Sequence, residues 1–196
     1  MMIEESRLKF EFPDRSRAVK FDNTDFYRKY INKAPNTKGI DFLVDDKKRL
    51  VFLEVKNCKG DESNNNWRVV PNNRKHDTSK TTVTVEDRDS LDIEVAEKVR
   101  QTIAALVGVQ SLKNTRKAAE EISIFAEALM SEKILDDSKE ILVILFLEGD
   151  FGCQTRSKKA IMKGLQDSLN VKMQWLKCRV SVVDSDTYDD SLFMVS

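Results

Sequence analysis

The chain has 196 residues, 40% apolar and 34% charged, with 33 Lys plus Arg against 33 Asp plus Glu. That length supports one domain with a real core, and the balance excludes a partner chosen by net charge, while leaving room for a local basic face. Three scattered cysteines (Cys58, Cys153, Cys178) without a CxxC pair, and a single histidine, His76, argue against a disulfide framework, a structural zinc site and a histidine-dependent triad.

The opening MMIEESRLKFEF has early acids and no apolar h-region, so it does not read as a signal peptide. Leu8 to Phe12 alternates and meets Pro13, which predicts a short strand. Asp22-Asn-Thr-Asp25 offers N-caps to a helix in which Phe26, Tyr30 and Ile31 share a face, ended by Ala-Pro-Asn at 34–36. Two strands follow, Ile40 to Val44 and Leu50 to Lys56, joined by Asp45-Asp-Lys-Lys-Arg49. A polar loop insertion occupies about 60–80, and Trp67 to Val70 with Thr82 to Val85 suggests a small hairpin there.

Ser90 or Asp89 can cap the next helix, whose stripe is Leu91, Val95, Val99, Ile103 and Leu106. A second helix over 114–134 places Ala118, Ile122, Phe125, Leu129 and Met130 on one face. The run Ile141 to Leu147 reads as a strand covered on both faces, and is far too short to cross a membrane. Gly149-Asp-Phe-Gly152 then turns into a basic helix over 156–169; it lacks both GxxxxGK[ST] and GxGxxG, which argues against nucleotide binding. A strand at about 177–183 and an acidic tail complete the chain. The order predicts an α/β fold, a mixed central β-sheet flanked by α-helices in a single domain over 1–196, in a cytoplasmic protein without membrane contact.

Two of these strands carry charges where a core is expected: Asp41 in IDFLV, and Glu54 and Lys56 in VFLEVK. Side chains alternate along a strand, so Glu54 and Lys56 share a face, and a tight hairpin returns Asp41 beside them. Two carboxylates can hold Mg²⁺ or Mn²⁺ and leave positions open for water and a phosphate oxygen, while an ammonium orients the water and neutralises developing charge. The structural alternative is an ion pair, with Lys56 neutralising Glu54 on an edge strand and Asp41 capping a turn.

Asp41, twelve residues, then Glu54-Val55-Lys56 resembles the D…(D/E)xK signature of the PD-(D/E)XK nuclease superfamily, the restriction-endonuclease-like fold. GIDFLV…LVFLEVKN in particular resembles its resolvase-like and Mrr-like members, and the longer pattern resembles a set of uncharacterised bacterial proteins. The likeness is strong over roughly twenty residues and weak over about a hundred. It implies a restriction-endonuclease-like core, with Asp41, Glu54 and the Val55 carbonyl as ligands of Mg²⁺ or Mn²⁺ and Lys56 as the catalytic lysine. The substrate would be nucleic acid, DNA in the first place; a homodimer or a protein partner stays open. An auxiliary acid on a preceding helix would be Asp22 or Asp25, with Asp22 preferred. An auxiliary cation from the following helix would be Lys98, preferred over Gln101, which the helical spacing turns away.

From Lys47 to Lys80 there are nine Lys or Arg against four acids, so Lys59, Trp67, Arg68, Arg74 and Lys75 are candidate nucleic-acid contacts. A second reading keeps the fold without catalysis, as a protein- or nucleic-acid-binding module in a defence or repair system.

Overall fold

The structure, a computed structural model, describes residues 1–75 and 88–196; His76, Lys80 and the expected arm Thr82 to Val85 lie outside them. Strands β1 (Met2–Glu5) and β2 (Leu8–Glu11) form a hairpin, and β3 (Arg17–Lys20) follows. A 3-10 turn (Phe21–Asn23) and a short π-helical segment (Tyr27–Ile31) lead to β4 (Phe42–Asp45) and β5 (Arg49–Asn57). The loop region holds α1 (Glu62–Asn65), a 3-10 turn (Asn66–Val69) and the paired β6 (Arg74–Lys75) and β7 (Arg88–Asp89). Then come α2 (Leu91–Leu112), α3 (Lys117–Glu120), α4 (Ser123–Leu129), α5 (Glu132–Leu135), β8 (Glu140–Glu148), α6 (Lys158–Lys172), β9 (Arg179–Val183) and β10 (Met194–Val195).

The central sheet runs in the order β3-β4-β5-β8-β9. β4 is antiparallel to both β3 and β5, whereas β5, β8 and β9 run parallel. Parallel neighbours need long crossovers, and the helical stretches between β5 and β8 and between β8 and β9 supply them. The fold is therefore mixed α/β.

Strand parity divides the core in two. Leu50, Phe52, Val143, Leu145 and Val182 face the side where Leu91, Val95, Val99 and Leu106 of α2, Phe125 of α4 and Leu165 of α6 pack. Val51, Leu53, Val55, Leu142, Ile144 and Phe146 face the other side. That side is closed not by helices but by a second sheet, β1-β2-β10, and by the C-terminal residues Leu192 and Phe193. Among the described residues, the helices that pack on the central sheet, α2, α4 and α6, lie on one face. Phe10 centres the opposite layer, its ring 5.4 Å from that of Phe42 and 5.5 Å from those of Phe146 and Phe193. Such aromatic pairs add about 0.5–1.5 kcal/mol each beyond the area they bury.

Several expectations change. Leu8 to Phe12 is a strand, but of the small sheet; Arg17–Lys20 takes the edge of the central one beside β4. β5 is a central strand, so the edge strand of the structural alternative is not found. In the π-helical segment Tyr27 is the buried ring and Tyr30 is exposed, because the wider turn shifts which positions face inward. The helix expected over 114–134 breaks into α3, α4 and α5, and Met130, past the end of α4, is exposed. Trp67 to Val69 lies in a 3-10 turn instead of a strand. Among the described residues, no helix is long and apolar enough to cross a membrane.

Candidate functional site

The register of β4 and β5 pairs Phe42 with Leu53, so one step further along Asp41 reaches the level of Glu54. The backbone locks this arrangement: the Val55 N–H donates to Asp41 Oδ2 at 2.8 Å, and the Phe21 N–H donates to the Asp41 carbonyl at 2.8 Å. The N–H and C=O of one strand residue point to the same edge, so the Val55 carbonyl also opens toward Asp41. Helix α2 fixes the approach to Asp41, with Thr102 Oγ1 accepting from the Ile40 N–H at 3.0 Å and Gln101 Oε1 from the Lys38 N–H at 2.5 Å. Gln101 therefore serves the backbone before Asp41 and not the charges.

Glu54 and Lys56 share the even-numbered face of β5, the face toward α2. There the charges alternate in a chain. Lys98 Nζ lies 3.3 Å from Asp41 Oδ1 and 2.6 Å from Glu54 Oε1. Lys56 Nζ lies 2.7 Å from the same Glu54 Oε1 and 3.1 Å from Glu94 Oε1. Arg68 Nη2 closes the chain, 2.6 Å from Glu94 Oε2. Glu54 is 0% exposed, and its second oxygen, Oε2, is buried without a hydrogen-bond partner.

The electrostatics follow from burial and from this order. Burial first, and then the negative charge of Glu54, push the Asp41 carboxyl up to about 7 against the pull of Lys98 and Lys56. Burial disfavours the charged form of Lys56, but Glu54, Glu94 and Asp41 outweigh it and raise its pKa. Lys98 is raised likewise: burial and the nearby Lys56 oppose its charge, and Glu54 and Asp41 prevail. Burial would raise Glu94, yet Lys56, Arg68 and Lys98 together bring it down to about 2.

Asp22 follows β3 at the same end of the sheet. Its carboxyl is raised by burial and feels Lys98 and Glu54, and its Oδ1 is buried without a hydrogen-bond partner. Among the described residues, no group of three or more His, Cys, Asp and Glu side chains is arranged to hold a metal ion. The acidic unit is the pair Asp41 and Glu54, and one or two carboxylates are what a Mg²⁺ site of the phosphate-handling type uses.

Residues 24–196 match a family of unknown function, DUF6661. The chain belongs to the DUF6661 family. No curated protein and no solved structure matches it. The DUF6661 match includes Asp41, Glu54, Lys56, Arg68, Glu94 and Lys98 and begins just after Asp22.

The loop candidates part company. Arg68 is buried, and its guanidinium is turned inward onto Glu94 and Asn65 instead of outward to solvent, because the 3-10 turn lays it against α2. Lys59 and Arg74 are exposed, Arg74 Nε standing 3.6 Å from Asp89 Oδ1, and Trp67 is half-buried. Of Lys75, only the backbone is described. Sequence reasoning missed Glu94. Its signal was present: it precedes Lys98 by four residues, so both side chains leave the same face of α2.

Proposed function

We propose that this chain is a Mg²⁺- or Mn²⁺-dependent nuclease of the PD-(D/E)XK type, hydrolysing phosphodiester bonds of nucleic acid, DNA in the first place. The observation that carries this reading is that Asp41 and Glu54 share a single bridging cation, Lys98, while Glu54 Oε2 remains buried and unpaired. A buried carboxylate oxygen without a donor is costly, and a hard divalent ion is the partner it suits. Asp41 and Glu54, with the Val55 carbonyl, would hold that ion, which when bound supplies a Lewis acid and an acidified water.

The remaining work falls to the chain's own side chains. Lys56 is held protonated between Glu54 and Glu94, so it acts as a cation that orients water and neutralises charge developing on the phosphoryl oxygens. Glu94 positions Lys56, and Arg68 in turn neutralises Glu94. Exposed Lys59 and Arg74 offer charge to the nucleic-acid backbone. The sequential mixed sheet supports the restriction-endonuclease-like core, with one of its faces covered by strands in place of helices.

One observation favours the second reading, a catalytically silent module: the three acids Asp41, Glu54 and Glu94 are matched by the three cations Lys98, Lys56 and Arg68. With all three acids ionised, such a chain is neutral by itself. A cleavage assay separates the two. Plasmid and linear DNA, and RNA in a parallel arm, are incubated with Mg²⁺ or Mn²⁺ and either the wild-type protein or K56A. Metal-dependent cutting that K56A loses supports the nuclease. Cutting equal in both proteins removes Lys56 from the mechanism, and no cutting by wild type on any substrate leaves the silent module.

A further inference from the structure

Lys98 makes contacts to both acids of the candidate site. Its ammonium lies between Asp41 Oδ1, at 3.3 Å, and Glu54 Oε1, at 2.6 Å. That is the position from which one cation serves both carboxylates. It serves them incompletely, because it brings one charge against two. Lys56 occupies the same Oε1 at 2.7 Å, so two ammoniums crowd one oxygen while Oε2 has none. The contact to Asp41 is also the longer one. Lys98 reaches this point on a flexible four-carbon stem from α2, and a lysine can swing out of a site without moving the helix that bears it.

We propose that Lys98 is a placeholder cation, holding Asp41 and Glu54 in register until a divalent ion displaces its ammonium. The inference deepens the metal-site reading above and rests on it. Without Lys98, Asp41 would lose its ion-pair partner and Glu54 would keep Lys56 alone, leaving two buried carboxylates with one cation between them. An ammonium fills the position in the absence of metal. A divalent ion carries enough charge for both acids, and its arrival frees Lys98 to turn toward solvent or toward a phosphate. Lys98 then sets the affinity of the site for metal: it competes with the ion for the same oxygens.

The test compares the wild-type protein with Lys98→Met, which keeps the length of the stem and removes the charge, and Lys98→Arg, which keeps the charge. Binding of Mn²⁺ is titrated by calorimetry, and the thermal midpoint is measured with and without Mn²⁺. Lys98→Met should bind Mn²⁺ about tenfold more tightly than wild type or better, since displacing a charge-assisted hydrogen bond no longer opposes the ion. Its thermal midpoint should be lower than wild type without metal and should recover when Mn²⁺ is added. Lys98→Arg should bind Mn²⁺ no more tightly than wild type.

Equal Mn²⁺ affinity of wild type and Lys98→Met overturns the proposal. So does a Lys98→Met protein that stays unfolded in Mn²⁺, because the ion should then stand in for the missing ammonium. Tighter Mn²⁺ binding without DNA or RNA cleavage supports the placeholder and removes the nuclease. Cleavage by wild type with unchanged affinity in Lys98→Met removes the placeholder alone.

Discussion

Two carboxylates of this fold are 0% exposed beside helix α2, and they are treated in opposite ways. Asp92, in the first turn of α2, is surrounded by donors: Ser90 Oγ at 2.6 Å, Ser168 Oγ at 2.8 Å, Lys172 Nζ at 2.7 Å and the Asn72 N–H at 3.1 Å. These bonds tie the loop, α2 and α6 together and reach both of its oxygens. Burial would raise its carboxyl, but Lys172, Ser90, Ser168 and the Asn72 amide outweigh it and hold it below the usual range. Glu54 has two ammoniums on one oxygen and nothing on the other. Asp92 is satisfied at both oxygens and acts as a strut, whereas Glu54 keeps one buried oxygen open, the oxygen that the reading proposed above gives to a metal.

The widest separation between the two regions should appear in catalysis. Lys56→Ala should lower the rate of metal-dependent cleavage by roughly 10²–10⁴-fold while leaving the protein folded, as single-turnover assays with circular dichroism would show. Asp92→Ala, measured per folded molecule, should keep most of the wild-type rate. A severe rate loss in Asp92→Ala would end the distinction between strut and site.

In stability the order reverses. Asp92→Ala leaves Lys172 and two hydroxyls without their buried acceptor and should cost about 3–5 kcal/mol, read from urea unfolding. Glu54→Gln keeps a polar group of the same shape, with Lys98 still paired to Asp41 and Lys56 to Glu94, and should cost clearly less. Equal losses would show that Glu54 is a strut as well.

The strand parity of Glu54 and Lys56 and the return of Asp41 were legible because both depend only on the two-residue period and on a short hairpin. Lys98 was legible as a helix residue beside the apolar stripe. Glu94 and Arg68 were not, since nothing local says that a loop arginine will turn inward to meet an acid of a helix 26 positions on. The second sheet was hidden for a similar reason: β10 joins β2 from the far end of the chain, and Met194–Val195 has no strand pattern of its own. The strut at Asp92 looked like an ordinary acid in the first turn of a helix, and its depth comes from α6, again a distant partner.

Acid titration sharpens the contrast further. The folded-state pKa of Glu94 is depressed from 4.5 to about 2, so the folded protein binds fewer protons than the unfolded chain between these values. Its contribution is fully present above about pH 4.5 and is lost as pH falls toward 2, and its upper bound is about 3 kcal/mol. Glu94→Gln should therefore be less stable than wild type at pH 7, and the gap should narrow as pH drops through that window in urea melts at each pH. A gap constant down to pH 2 would mean that Lys56 and Arg68 do not hold the Glu94 charge.

The smallest effect concerns how α2 carries Asp41 to the site. Thr102 is fully buried, and its Oγ1 accepts the Ile40 N–H at 3.0 Å, one residue before Asp41. Valine at this position preserves the shape and leaves a buried amide without an acceptor, at a cost of about 1–3 kcal/mol. This bond helps to hold the backbone that leads into Asp41, beside the Phe21 N–H on the Asp41 carbonyl and the Val55 N–H on Asp41 Oδ2, so Thr102→Val should also weaken Mn²⁺ binding by a few-fold, which calorimetry can resolve. Gln101→Ala removes the neighbouring acceptor of the Lys38 N–H, further from Asp41 and closer to solvent, and should change Mn²⁺ affinity less. If Thr102→Val loses stability but binds Mn²⁺ as wild type does, α2 braces the fold here without setting the position of Asp41. If both change together, the helix that supplies Lys98 and Glu94 also places the carboxylate that Lys98 bridges to Glu54.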